Sequence, residues 1–138
     1  MNRTAALKSP KKTSAPGASA KLSMNSNSSV VLGKIITVSG LPLAFLAEKV
    51  FEVTPKTLTK YRDHNTKLPA LLMEHSLKFL EMYKSGLELF GSKDKFNAWL
   101  TKPGIGLGFE TPVDIMNTYR GVERIFEELK RIEYGATA

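Results

Sequence analysis

Apolar residues recur along most of this chain at steps of three and four, the spacing of one face of an α-helix. The clearest apolar stripe lies in the last helical segment and consists of Val122, Ile125, Phe126, Leu129 and Ile132. A stripe of this kind has to be buried against something. Because no catalytic constellation accompanies it, we interpret residues 89–135 as a segment that binds another protein.

Breaks in the pattern divide the chain into short helices. Residues 29–39 could form a strand or a helix: their β-branched run favours a strand, but everything after them is helical, so we expect a helix. Thr54-Pro55 and Thr111-Pro112 each predict a helix start, since Thr is a favoured N-cap and Pro a favoured first helical residue. Further helices are predicted over 43–51, 54–62, 69–90, 93–101, 111–116 and 119–135. The predicted fold class is therefore all-α.

The chain also divides by composition. Residues 1–28 are rich in Ser, Ala, Asn, Lys and Pro and cannot bury enough apolar surface to offset the entropy of ordering, so we predict a disordered basic tail. That tail is either a solubilising segment or an arm that seeks nucleic acid, because any cationic tail gains affinity for phosphate. We assign residues 29–88 to a first folded domain and residues 89–138 to a second.

Charge is distributed unevenly along the 138 residues. The net charge is +7, and the first 28 residues hold five basic residues and no acidic one. From Pro103 onward the balance reverses, with four basic and six acidic residues. A basic front and a slightly acidic rear suggest two partners of different kinds.

Several classes of site have no support in the sequence. The absence of cysteine excludes a disulfide framework and a thiolate zinc site. His64 and His75 are too few for a metal cluster, and we expect His64 in a loop near phosphate and His75 at a helix surface or boundary. We therefore predict no metal, no cofactor and no enzymatic activity. No apolar run reaches the roughly 20 residues that span a bilayer, so a cytoplasmic protein is the default expectation.

Residues 43–62 have the pattern of a helix-turn-helix. The first helix is apolar on its inner side, the connection is short, and the second helix exposes cationic and hydroxyl side chains that suit the major groove and its phosphates. Two positions depart from the usual pattern: Glu52 stands where Gly is common and Glu48 where a small Ala is common. The candidate DNA-binding residues are Thr54, Lys56, Thr57, Lys60, Tyr61 and Arg62.

Three features near the C-terminus have an ordinary structural interpretation. Gly104, Gly106 and Gly108 lack the strand and the Lys-Ser/Thr pair of a phosphate loop, so we expect a structural connection. Trp99 either packs in the core or lies at the rim of a partner surface. The acidic residues of the last helix are expected on its solvated face, and they are Glu127, Glu128 and Glu133.

Taken together, these residues resemble the Xre/MbcA/ParS antitoxins. The resemblance extends from about Gly40 to the C-terminus. It rests on GLP before the first helix of the pair, on VTPKTLTKYR as the second helix, and then in order on LFG, FNAWL, KP, LG, TPVDIMNT, G and LKRIEYG. It implies an all-helical fold with a Xre-like DNA-binding part followed by a toxin-binding part.

The resemblance also implies a function and partners. Such a protein neutralises a RES-domain toxin that consumes NAD by covering its active site, represses its own operon by binding operator DNA, and forms a homodimer within a larger toxin–antitoxin complex. The residues assigned to toxin binding are Trp99, Leu100, Pro112, Arg120, Arg124, Glu128, Arg131, Ile132, Tyr134 and Gly135. The alternative is a stand-alone transcriptional regulator whose C-terminal helices only dimerise.

Overall fold

The computed structural model describes residues 21–64 and 66–137, with only the backbone described for Ala136 and Thr137. All regular structure in these ranges is helical, which confirms the all-α fold class. Residues 1–20, most of the predicted tail, lie outside the described residues. The seven α-helices of the described residues are α1 (Ser28–Ser39), α2 (Leu43–Phe45), α3 (Pro55–Asp63), α4 (Ala70–Phe90), α5 (Lys93–Leu100), α6 (Pro112–Ile115) and α7 (Tyr119–Thr137).

The first segment is a helix, as expected, and its two caps explain why. The Asn27 side chain accepts hydrogen bonds from the backbone N–H groups of Ser29 (2.8 Å) and Val30 (3.4 Å). At the other end Gly40 takes the left-handed conformation (φ 67°) and its N–H donates to the Ile36 carbonyl. These local bonds outweigh the strand preference of the β-branched residues between them.

Between α2 and α3 the chain departs from a regular α-helix. α2 continues directly into a π-helix over Leu46–Phe51, and the Val53 N–H reaches back to the Ala47 carbonyl at 2.9 Å. Glu52 then adopts a left-handed conformation (φ 53°), so the position where a glycine was expected does need a left-handed residue. Glu52 also accepts a hydrogen bond from the Asn117 side chain at 3.1 Å, which ties this turn to the C-terminal part.

The long helix α4 is the centre of the core. It packs most extensively against α7, next against α1, and also against α5. The α7 residues Val122, Ile125 and Leu129 are almost completely buried. The apolar stripe that we interpreted as a protein-binding surface is thus mainly used inside the chain, and any partner has to meet another face of α7.

His75 was expected at a helix surface or boundary, and that expectation is wrong. The side chain is only 6% exposed. Its ring meets the ring of Phe51 edge-on at 5.2 Å between centroids, and Nε2 lies 2.9 Å from the Met116 carbonyl oxygen. Burial lowers the pKa of His75, because the charged imidazolium loses its hydration. The neutral ring therefore joins α4 to the turn before α3 and to the end of α6.

In the described part of the chain, length and composition rule out every individual helix as a membrane span. The bent pair Ser28–Ser39 and Leu43–Phe51, which meets at 113°, passes the same criteria when its two parts are taken together. Both parts contribute buried side chains to the core, among them Val31 and Val50.

Candidate functional site

The first candidate surface is the outer side of α3. Lys56 and Lys60 are exposed there, one turn apart. The hydroxyl of Thr54 accepts a hydrogen bond from the Thr57 N–H at 3.1 Å and donates one to the Thr57 hydroxyl at 2.9 Å. The two threonines thus fix the start of the helix, and the two lysines supply its outward charge.

The remaining two DNA-binding candidates are held by the protein itself. Tyr61 is half-buried and packs against the core. Arg62 makes a bidentate pair with Asp63, at 2.6 Å from Nε to Oδ1 and 2.9 Å from Nη2 to Oδ2. The pair raises the pKa of Arg62 and lowers that of Asp63. Its net charge is close to zero, so Arg62 adds less to the field of this surface than either lysine.

The second candidate surface is formed where α7 meets the loop before α6. Three α7 arginines lie on one face at steps of four and seven and line a shallow pocket of about 240 Å³. We call this group the arginine cluster, and its members are Arg120, Arg124 and Arg131, together with Glu127, Glu128, Gly106 and Leu107 from the same pocket.

Glu128 is the structural centre of the arginine cluster. It was expected on a solvated face, but its side chain is only 6% exposed. Arg131 donates from Nε and Nη2 to its two carboxylate oxygens, each at 2.7 Å, and the Gly106 N–H donates to it as well. The arginine is the main reason why the pKa of Glu128 lies below its usual value. A Cβ at Gly106 would lie 1.8 Å from Glu128 Oε1, so only glycine allows this approach.

The three arginines differ in how much of each side chain remains accessible to a partner protein. Arg124 pairs with Glu110 at 2.9 Å and donates to the Leu107 carbonyl at 3.3 Å, so it holds the loop against α7. Arg120 is 65% exposed and is paired along its own helix with Glu123 at 2.7 Å. The Arg131 side chain is 63% exposed, although it is bound to Glu128. Arg120 and Arg131 are therefore the two guanidinium groups that this surface presents to solvent, although both are paired with carboxylates of α7: Arg120 also lies 3.6 Å from Glu127, and Arg131 is bound to Glu128.

The remaining predicted toxin-binding residues lie elsewhere. Trp99 is half-buried, with ring centroids 5.6 Å from Phe90 and 5.9 Å from Phe96, so it belongs to an aromatic stack. Leu100 and Pro112 are buried and do not line the pocket. The last three follow one another near the C-terminal end of α7: Ile132 is half-buried, while Tyr134 and Gly135 are exposed.

Sequence reasoning missed three residues that build this surface: Gly106, Leu107 and Glu110. They lie in or beside a 3₁₀ turn over Ile105–Leu107, which was interpreted only as a connection. The available signal was the repeated glycine, which can mark a close approach of the backbone to another group. Which group it approaches depends on the tertiary fold. Among the described residues no three His, Asp or Glu side chains are grouped closely enough to hold a metal ion.

Comparison with known proteins finds similarity in the part of the chain that contains this surface. Residues 85–135 match the family model of the antitoxin Xre/MbcA/ParS C-terminal toxin-binding domain. A protein named antitoxin Xre from Yersinia enterocolitica is 26% identical over 84 residues, which are 60% of this chain and 57% of the relative. Another antitoxin Xre, from Photorhabdus laumondii, is 34% identical over 59 residues, 42% of this chain and 40% of the relative. The chain thus spans about half the length of the curated relatives that it matches.

Proposed function

We propose, from the match of residues 85–135 to the toxin-binding domain of the Xre/MbcA/ParS antitoxins, that this chain is an antitoxin of that family and the antitoxin of a type II toxin–antitoxin pair. In this proposal it acts in the cytoplasm without enzymatic activity of its own. Its partner is a RES-domain toxin that consumes NAD, and the antitoxin inhibits it by covering the active site.

One observation carries the proposal: the matched region contains the whole arginine cluster. The apolar side of α7 is buried against α4, while its opposite side exposes Arg120 and Arg131. A rigid helix that is anchored on one side and charged on the other can bind a partner without first having to fold.

The toxin-binding surface is tested by co-expression with the RES-domain toxin of the same operon. Truncation before α7 is a poor test, because it removes the buried residues Val122, Ile125 and Leu129 and so unfolds the core. We expect Arg120→Ala to fold, because its side chain is 65% exposed, but to protect cells less well. Lys130→Ala is the matched control, since it also removes one positive charge from the same helix but lies outside the pocket. Full protection by Arg120→Ala would exclude this face of α7 as the contact.

We further propose that α3 binds operator DNA and that the chain represses its own operon. Lys56 and Lys60 support this, because they are exposed on a helix whose N-terminal end is fixed by Thr54. Lys56→Ala/Lys60→Ala should weaken operator affinity and reduce the slope of log K against log salt by about 0.9 per lost phosphate contact. Lys84→Ala/Lys95→Ala removes the same charge from exposed positions outside α3 and should leave the slope unchanged. Equal slopes for the two double variants would count against α3.

A homodimer within a larger toxin–antitoxin complex completes the proposal. Sizing of the chain alone and with the toxin measures both states. If the chain dimerises and binds its operator but leaves the toxin fully active, the stand-alone regulator is the correct account.

A further inference from the structure

Two of the most exposed large apolar side chains of the described residues lie on the same short loop. Ile105 is 79% exposed and Phe109 is 71% exposed. Both belong to the segment between α5 and α6, which also supplies Gly106 and Leu107 to the arginine cluster. An isolated exposed apolar residue needs no explanation, but two on one loop beside a charged pocket are unusual for a surface that faces only water.

The loop that carries them is fixed by its own backbone. The Gly104 N–H donates to the Glu110 carbonyl at 3.0 Å, and the Gly104 carbonyl accepts from Leu107 (3.0 Å) and from Phe109 (2.9 Å). The Leu107 side chain is buried, and its carbonyl accepts from Arg124. Ile105 and Phe109 are therefore held out on a rigid support rather than on a mobile tip, and binding through them would cost little ordering entropy.

Phe109 is unfavourable in two respects at once. Its backbone is left-handed (φ 68°), a conformation that disfavours residues with a Cβ. Its ring also gains nothing from burial within the chain, since most of it is exposed. Folding alone would favour glycine at this position. A strained and exposed aromatic residue is more readily explained if the ring is used by something outside the chain.

We propose that Ile105 and Phe109 are the apolar anchors through which this chain binds its toxin, inserting into an apolar pocket whose acidic rim faces Arg120 and Arg131. This inference rests on the function proposed above. The partner is the toxin because the loop and the arginine cluster belong to one surface, within the residues that match the toxin-binding domain. An apolar centre with a charged rim is also the usual anatomy of a protein–protein interface, and aromatic side chains dominate its affinity.

The test is the affinity of the full chain for the RES-domain toxin of the same operon, measured by calorimetry. Ile105→Ala and Phe109→Ala should each raise the dissociation constant by about tenfold or more. Leu71→Ala is the matched control: Leu71 is 81% exposed, but it lies at the start of α4 outside this surface, and its removal should change the constant less than about twofold.

A further variant separates binding from folding. Phe109→Gly removes the strain of the left-handed backbone, so this variant should unfold at a higher temperature than Phe109→Ala. It still lacks the aromatic ring and should bind the toxin as weakly as Phe109→Ala does. If every variant of this loop lost stability together with affinity, Ile105 and Phe109 would have a structural role, and the inference would be overturned.

The remaining outcomes distinguish this inference from the function on which it rests. If the unaltered chain binds the toxin and Phe109→Ala binds it equally well, the anchors are wrong and the antitoxin function stands. If the unaltered chain does not bind the toxin, both fail. If Phe109→Ala instead abolishes self-association and leaves toxin affinity unchanged, the loop is a contact between copies of this chain, which also overturns the inference.

Discussion

Gly86 offers the sharpest test of the core, because helix propensity and packing make opposite predictions for it. It lies within α4, where replacing glycine by alanine ordinarily stabilises a helix by about 1 kcal/mol. In this fold the Phe96 ring occupies the space of the missing side chain. An alanine Cβ would lie 2.1, 2.3 and 2.4 Å from three ring carbons.

The size of the effect follows from how firmly Phe96 is held. Ordinary carbon–carbon contact is about 3.5–4 Å, so the ring would have to move by roughly 1.5 Å. Phe96 is fully buried, with ring centroids 4.9 Å from Tyr83 and 5.7 Å from Phe90. Overpacking typically costs 1–3 kcal/mol, and the close fit points to the upper end of that range. After subtraction of the helix gain, we expect Gly86→Ala to destabilise the protein by about 2 kcal/mol.

Gly33 is the matched control for this substitution. It lies within α1, and a Cβ there would meet nothing within 4 Å. Gly33→Ala should therefore stabilise the protein by about 1 kcal/mol. Urea denaturation of both variants measures the two changes directly. If Gly86→Ala stabilises the protein as much as Gly33→Ala does, Phe96 does not pack over α4 as described.

Three other substitutions test individual buried groups. The Tyr83 hydroxyl donates to the Ser39 carbonyl at 3.1 Å, so Tyr83→Phe should lower the free energy of unfolding by about 1–2 kcal/mol because that carbonyl loses its donor. Unchanged urea denaturation would contradict this. Because the pKa of His75 is lowered in the folded state, the unfolded state takes up the proton first, and the free energy of unfolding should fall as pH drops below about 6.5. His75→Gln should flatten this dependence of the free energy of unfolding on pH, and equal slopes for the variant and the unaltered protein would refute the burial argument. The pKa of Glu128 is also lowered, so the stability that its charge contributes is present above about pH 4.5 and is lost in acid. Glu128→Gln should therefore cost on the order of 1 kcal/mol at pH 7 and nothing near pH 2, and a cost independent of pH would show that the charge is not involved.

The sequence predicted those parts of the fold that depend on neighbouring residues. Thr54-Pro55 combines a capping hydroxyl with a residue that needs no N–H partner, and the helix does start there. Gly91 likewise ends α4 in a left-handed conformation. Such signals are local because their hydrogen bonds close within three or four residues.

Features that depend on tertiary contacts could not be predicted in the same way. His75 and Glu128 lie on helices whose sequences are equally compatible with exposure of these two side chains to solvent. His75 is buried because Phe51 and Met116 meet it from two distant segments, and Glu128 because Gly106 crosses α7. The apolar stripe of α7 was detected correctly, but the pattern did not show that α4, and not another protein, covers it. Only the three-dimensional fold shows that the apolar side of α7 is buried, which leaves the charged side of α7 as the candidate interface.

NAD consumption by the purified RES-domain toxin that we propose as the partner, titrated with the full chain, tests the central claim most directly. If the exposed loop and the arginine cluster cover the toxin's active site, NAD consumption should fall in proportion to the antitoxin added and cease at a fixed ratio of the two proteins. Undiminished NAD consumption at saturating antitoxin would contradict the account, even if the two proteins formed a complex.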